Sequence, residues 1–201
     1  MSKKNIAAIV VFAILLIDQL VKIYIKTHFN LGEEIHVFDW FIIHFTENNG
    51  MAFGWEFGGK AGKYFLSIFR IVAVCAIGFY ISTLAKRDTT PRGVIVGLSM
   101  IMAGALGNII DCMFYGLIFE GSYYDVAQFV PWGEGYSSFL QGHVVDMLWF
   151  PIIEGNYPEW LFGGRSFLFF SPVFNIADSA ITCGVIYMLI FQRDFFKEEN
   201  K

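Results

Sequence analysis

Charge is scarce in this sequence of 201 residues. Only 16% of them are Asp, Glu, Lys or Arg, against about 25% in soluble globular domains, while 56% are hydrophobic and 23 are Phe. So few charges point to a membrane protein. A basic surplus is also missing: the net charge of −4 gives no footprint for nucleic acid. Cysteine is limited to Cys75, Cys112 and Cys183, all inside apolar runs. An odd number in such runs excludes a disulfide framework and offers no metal spacing, so the three read as small apolar fillers. His28, His36, His44 and His143 lack the spacing of three or four that a ligand set needs. There is no internal repeat and no low-complexity segment.

What is present is a series of long apolar runs. The first, residues 6–25, follows Lys3 and Lys4 and imitates a secretory signal. It is too long for an h-region and no small-x-small site follows, so it reads as a retained transmembrane helix. Further spans are expected at 64–84, 93–117 and 173–191. The fold class expected is therefore a mainly α membrane protein, one integral domain with four transmembrane helices. A small extracytoplasmic β-rich segment (26–63) follows helix one, and a long extracytoplasmic segment (118–172) precedes helix four. Val37 to Thr46 is rich in β-branched and aromatic residues and predicts a strand, with Glu47-Asn48-Asn49-Gly50 as a turn. Gly97, Gly104 and Gly107 predict close helix packing in span three. The five tryptophans lie outside the spans and read as interfacial anchors.

Basic residues orient the chain. Lys3, Lys4, Lys86, Arg87, Arg92, Arg193, Lys197 and Lys201 flank the spans on one side, which puts 1–5, 85–92 and 192–201 in the cytoplasm. At 1.5 Å per residue, Asp18 then lies about 18 Å along span one, and Asn108 and Asp111 about 22–27 Å along span three. Asp178 lies within about 8 Å of the outer end of span four. Polar residues from three spans thus converge on the outer third of the membrane. An intramembrane carboxylate is costly and is by default a functional-site hypothesis, against the simpler reading of a helix cap or packing ion pair. A second carboxylate beside Asp178 would share one proton with it, the arrangement that hydrolyses amides without a metal. Asp18, Asp111 and Asp146 are the candidates. Asp18 and Lys22, at i and i+4, read as a structural pair. A small proton-coupled transporter is the alternative use of such carboxylates, although repeats and midplane sites are lacking.

Four signatures follow in chain order: Asp18-Gln19-Leu20-Val21-Lys22; Asn48-Asn49-Gly50-Met51-Ala52-Phe53-Gly54; Gly104-Ala105-Leu106-Gly107-Asn108-Ile109-Ile110-Asp111; and Val144-Val145-Asp146 with Phe174-Asn175-Ile176-Ala177-Asp178-Ser179. Together they span the chain, and the set resembles the signal peptidase II family, the lipoprotein signal peptidases. The resemblance implies an aspartic endopeptidase of the bacterial inner membrane. Its substrates would be diacylglyceryl-modified prolipoproteins, cut before the lipidated cysteine near the outer leaflet. It implies membrane lipids as surroundings, no cofactor and no metal, and a monomer is expected. Carried over, the catalytic pair falls on Asp146 and Asp178, with Asn48, Gly50, Asn108, Asn175, Asp18, Lys22 and Asp111 lining the site.

The chain departs from the pattern twice. Cys112 stands where the family usually has Arg, which makes Arg70 in span two the candidate replacement cation, expected to pair with Asp111 or Asp18. A long acidic and aromatic stretch, 117–143, precedes Asp146 and is expected to form a lid over the site or a docking loop. Because no histidine or cysteine set has ligand spacing, cleavage should persist in excess chelator. Loss of activity that zinc restores would overturn the two-carboxylate chemistry.

Overall fold

The Ser2 hydroxyl accepts the backbone N–H of Asn5 at 3.2 Å. This satisfies one of the free donors of a helix N-terminus and starts α1 (Lys3–His28). The computed structural model describes residues 1–49, 59–169 and 171–198. Among the described residues, three helical runs are long and apolar enough to cross a bilayer: α1, residues Ala61–Leu84 within α2 (Gly59–Leu84), and Arg92–Ile118. The last is α3 (Arg92–Ile110), a π-helical turn (Asp111–Tyr115) and the short α4 (Gly116–Ile118). α5 (Ile176–Phe191) is apolar but has 16 residues, about 24 Å of helix, and α6 (Arg193–Glu198) follows it. The helix expected from residue 173 thus starts later. Val173–Phe174 form strand β6, and the Asn175 side chain captures the N–H of Asp178 at 2.9 Å, fixing the helix start there.

α1 is polar inside and apolar outside. Asp18, Lys22 and Lys26, four residues apart, are buried, whereas Phe12, Leu16, Leu20 and Tyr24 are exposed. An apolar outer surface suits lipid, and the polar stripe must then be satisfied by protein. The glycine seam expected in span three packs α3 against α5. A Cβ at Gly104 would lie 2.1 Å from the Ala177 carbonyl oxygen, and one at Gly107 would lie 2.7 Å from Asp18 Oδ2. Only glycine admits both approaches.

A four-stranded antiparallel sheet sits at one end of the bundle in the order β1 (Glu34–Phe38), β2 (Phe41–Asn48), β3 (Val144–Trp149), β6. β4 (Ile153–Asn156) and β5 (Ser166–Phe169) pair separately. The single strand expected over 37–46 is two strands turning at Asp39 and Trp40, and Glu47 and Asn48 close β2 rather than forming a turn. Their partners on β3, Val145 and Val144, lie almost a hundred residues away, and that distant ladder overrides the local turn preference. A bulge between Ile43 and Thr46 resets the alternation of β2. Asn48, Thr46 and Asp146 then share one face. Phe45, Glu47, Val145 and Met147 share the other, where they meet Ile25, Phe29, Tyr115 and Phe119 in a core.

The 119–143 stretch folds back along the outer end of the α3 run. Val130, Gly133 and Ser137 donate backbone N–H groups to the carbonyls of Ile118, Leu117 and Gly116, and Gly142 donates to that of Cys112 at 2.9 Å. A lid was one of the two expectations for it. Instead, Phe119 and Tyr136 pack against the core face of the sheet, opposite to Asp146. Among the described residues, none of its hydrogen bonds goes to Asp146 or Asp178. Phe119 is buried in that core and Tyr136 lies against it, whereas Tyr123, Tyr124, Phe129, Trp132 and Phe139 are exposed.

Candidate active site

Lys22 is fully buried and its ammonium is saturated. Its three donors go to Asp111 Oδ2 at 2.8 Å, Asp18 Oδ2 at 3.0 Å and Asn108 Oδ1 at 2.8 Å. Each carboxylate is also held elsewhere. Asp18 Oδ1 accepts the N–H of Ala177 at 2.8 Å, in the first turn of α5. Asp111 accepts from Gln19 Nε2 at 2.9 Å and from the N–H of Val145 at 3.4 Å. One ion cluster therefore joins α1, α3, α5 and β3, and satisfied buried charges of this kind define how elements dock.

The cluster dictates what Asn108 can do. With its carbonyl turned to Lys22, its amide must face the other way, and Nδ2 donates to Asp178 Oδ1 at 2.8 Å. Asn175, fully buried, is fixed in the same manner. Its carbonyl caps α5 at Asp178 N, which leaves Nδ2 to donate to Asp146 Oδ1 at 2.7 Å and to Asn108 Oδ1 at 3.1 Å. Asp178 Oδ2 in turn accepts the backbone N–H of Asn175 at 3.3 Å, completing a capping box. Asn48 Nδ2 donates to Asp146 Oδ2. A single residue, Asn175, thus touches both carboxylates.

Asp146 is 4% exposed. Burial, followed by the negative charge of Asp178, pushes its carboxyl up to about 7, against the hydrogen bonds from Asn175 and Asn48 that favour the anion. Two carboxyls thus meet across Asn175, and a site of this kind offers groups suited to acid–base chemistry.

This constellation sits on a chain with wide similarity to known proteins. A family model described as signal peptidase (SPase) II matches residues 10–193. The chain belongs to the signal peptidase II family. A lipoprotein signal peptidase of Porphyromonas gingivalis (strain ATCC 33277) is 48% identical over 189 residues, 93% of this chain and 82% of the relative. One from Amoebophilus asiaticus is 36% identical over 182 residues, 88% of this chain and 73% of the relative. A bacterial membrane enzyme solved by the in meso method at 2.3 Å matches with a TM-score of 0.65 and 25% identity over 98% of this chain and 93% of that one. A second, at 1.9 Å, has a TM-score of 0.62 and 26% identity over 92% and 90%. The protein is therefore a peptidase of the membrane, and the transporter alternative finds no support.

Within the signal peptidase II frame, the geometry brings together Asp146, Asp178, Asn48, Asn108, Asn175, Asp18, Lys22 and Asp111. Gly50, also expected at the site, lies outside the described residues. Asp111 is not beside Asp178 as a rival partner. It is held by Lys22 and Gln19 on the far side of Asn108. The expected pairing of Arg70 with Asp111 or Asp18 is corrected as well. Lys22 is the cation those carboxylates share, because it reaches both from α1 at hydrogen-bond distance. Arg70 is half-buried on α2.

Two residues lie outside the set that the sequence points to. Gln19 bridges Asp18, Gly107 O and Asp111, and its own carbonyl accepts the Tyr115 hydroxyl at 3.1 Å. Its place inside Asp18-Gln19-Leu20-Val21-Lys22 was a usable signal. Lys63, buried at the start of α2, donates to Asn49 Oδ1 and to the Gln141 carbonyl, both at 2.9 Å. Nothing local marks it out from an ordinary residue at the end of a span.

Proposed function

We propose that this protein is an aspartic endopeptidase that removes the signal peptide from diacylglyceryl-modified prolipoproteins. Asp146 and Asp178 form the catalytic pair, and cleavage falls before the lipidated cysteine. The observation that carries the reading is the double contact of Asn175, whose side-chain amide donates to Asp146 and whose backbone N–H donates to Asp178. Asp178 lies in the first turn of α5, where the helix end favours negative charge, and it receives two further donors. Asp146 is the better place for the shared proton because it is buried beside that charge.

The reaction then follows. Asp178 takes a proton from water as the water oxygen bonds to the scissile carbonyl carbon. Asp146 gives its proton to the carbonyl oxygen, so the tetrahedral intermediate is a neutral gem-diol. On collapse, Asp146 recovers its proton from one hydroxyl. Asp178 passes its proton to the departing nitrogen as the C–N bond breaks. No net charge is created in the apolar surroundings at any stage, which suits a site at the edge of a membrane.

The reading includes four membrane crossings, with α5 as the fourth and short one. The termini are cytoplasmic, the sheet lies against the outer leaflet of the inner membrane, and a monomer is sufficient because both carboxylates come from one chain. A span of 16 residues is short for a bilayer core. It suits a helix whose N-terminal carboxylate must meet a lipidated peptide just inside the outer surface. Purified protein incubated with lipidated and unlipidated prolipoprotein, followed by mass spectrometry, tests the substrate. Only the lipidated form should be cut, immediately before the modified cysteine. Equal cleavage of both would reject lipid recognition.

The pH dependence follows from Asp146. The acid form of its carboxyl is lost as pH rises through about 7, so turnover should fall on the alkaline side across that value. A rate that stays level from pH 6 to 9 would remove Asp146 as the general acid.

A further inference from the structure

A second buried charge network lies on the opposite face of the sheet from the carboxylate pair. Glu47, 4% exposed at its side chain, is its centre. Glu47 Oε1 lies 2.5 Å from Lys26 Nζ, at the outer end of α1, and accepts the Ser122 hydroxyl at 2.9 Å. Oε2 accepts from His143 Nδ1 at 3.1 Å. Lys26 is fully buried, donates to Ser122 Oγ at 2.9 Å, and stands 5.5 Å and 5.0 Å from the ring centroids of Phe119 and Tyr136. The Tyr136 hydroxyl accepts the backbone N–H of His143 at 2.6 Å.

One carboxylate therefore grips α1 through Lys26 and the 119–143 stretch at two points, Ser122 and His143, the second directly before β3. Burial works against its ionisation, but His143, Lys26 and Ser122 outweigh it and hold Glu47 down to about 2. The network is thus intact throughout the range in which a protease works. A network that served only to hold the fold could sit anywhere. This one sits on the two strands that carry the catalytic geometry. Glu47 is the residue before Asn48, whose amide donates to Asp146, and His143 leads directly into Val144-Val145-Asp146. The β2–β3 ladder also carries a bulge just before this point, and a slip of one residue would send Asn48 and Asp146 to the wrong face.

We propose that Glu47 is a positioning residue for peptide cleavage: through it, Lys26 and the 119–143 stretch lock β2 against β3 and so hold the Asn48–Asp146 contact in place. The role rests on the catalytic assignment of Asp146. It also gives the 119–143 stretch a task at the site without covering it.

The test uses the full chain, purified in detergent, with lipidated prolipoprotein. Glu47→Gln keeps the shape and loses the charge. A misplacement approaching 1 Å costs on the order of a hundredfold, so kcat should fall by about tenfold or more with KM little changed. Water admitted beside Asp146 would also lower its pKa, so the alkaline limb should move toward acid pH. A variant that only melts earlier, with kcat and the limb unchanged, would overturn the proposal. Should Glu47→Gln not accumulate as folded protein, Ser122→Ala with His143→Ala removes two grips and leaves the Lys26 pair. The same lower kcat and shifted limb are expected, and their absence overturns the proposal equally. Asp146→Asn run alongside separates the two ideas. Turnover retained there overturns the catalytic pair and the Glu47 role with it, whereas turnover lost there but normal in the Glu47 variants overturns the Glu47 role alone.

Discussion

Asp146→Asn and Asp178→Asn should each abolish cleavage, yet move stability in opposite directions. The loss of turnover should be on the order of 10⁴-fold or more, the scale seen when one member of a hydrolytic unit is removed. An amide can neither hold the shared proton nor accept one from water, so neither variant retains a partial cycle.

Stability separates them because the donors around each carboxylate differ in freedom. Asp146 accepts from Asn175, which is locked by its cap, and from Asn48, which is half-buried. A new amide there can turn its oxygen to Asn175, which keeps the hydrogen bond from that locked donor. The variant also loses a costly titration. The wild-type carboxyl goes from 3.8 to about 7 on folding, so the folded state binds more protons in between. The associated stability is present below about 4 and is lost as pH rises through about 7. Asp146→Asn should therefore raise the melting temperature at pH 8 and change it little at pH 4.

Asp178 has no such latitude. Both of its oxygens accept from fixed donors, Asn108 Nδ2 and the backbone N–H of Asn175. A new amide must point its N–H at one of them, leaving buried donors unsatisfied at a cost of about 1–3 kcal/mol. Asp178→Asn should melt earlier at every pH. Thermal melts at pH 4 and pH 8 with a cleavage assay check all of this. Near-normal turnover in either variant removes that residue from the catalytic pair.

Much of this site could be read from the sequence because its parts are local. Asp18, Lys22, Asn108, Asp111 and Asp178 each break an apolar run, and helical rise alone brought them to one depth. The glycines at 104 and 107 announced a close seam for the same reason. What could not be read depends on distant pairing. Glu47 and Asn48 have the composition of a turn, and only the ladder to Val144 and Val145 makes them strand. Lys26 has the appearance of a basic residue at the end of a span, and its burial depends on Ser122, Tyr136 and His143, which arrive about a hundred residues later. The 119–143 stretch is acidic and aromatic, which suits a lid as well as a buttress. The choice was made by which face of β3 offers apolar partners, a matter of strand register that composition does not contain.

Lys22→Met should strongly impair folding. The side chain is fully buried and fits a thioether of similar length, so packing is nearly preserved. What is lost is the only positive charge within hydrogen-bond distance of Asp18 and Asp111 among the described residues. Breaking a buried ion pair from one side costs about 3–5 kcal/mol, because the remaining charge stays buried without its counter-ion. Here two carboxylates are left, and both still hold elements in place, Asp18 at the start of α5 and Asp111 at the N–H of Val145. The loss therefore reaches the strand that carries Asp146 and the helix that carries Asp178. Asn108 is also released, since its carbonyl no longer has Lys22 to face and its amide is free to turn away from Asp178. The expected outcome is little folded protein, and low turnover in whatever folds. The compensated variant makes the cause visible. Lys22→Met with Asp111→Asn and Asp18→Asn removes all three charges together, and replacing a whole buried ionic group is often neutral where removing one member is not. Folding measured by thermal melt in detergent should recover in the triple variant, while turnover stays low because Asn108 remains unlocked. Recovery of both would show that Lys22 serves the fold alone. Failure of both would mean that its contribution is not the charge balance described here.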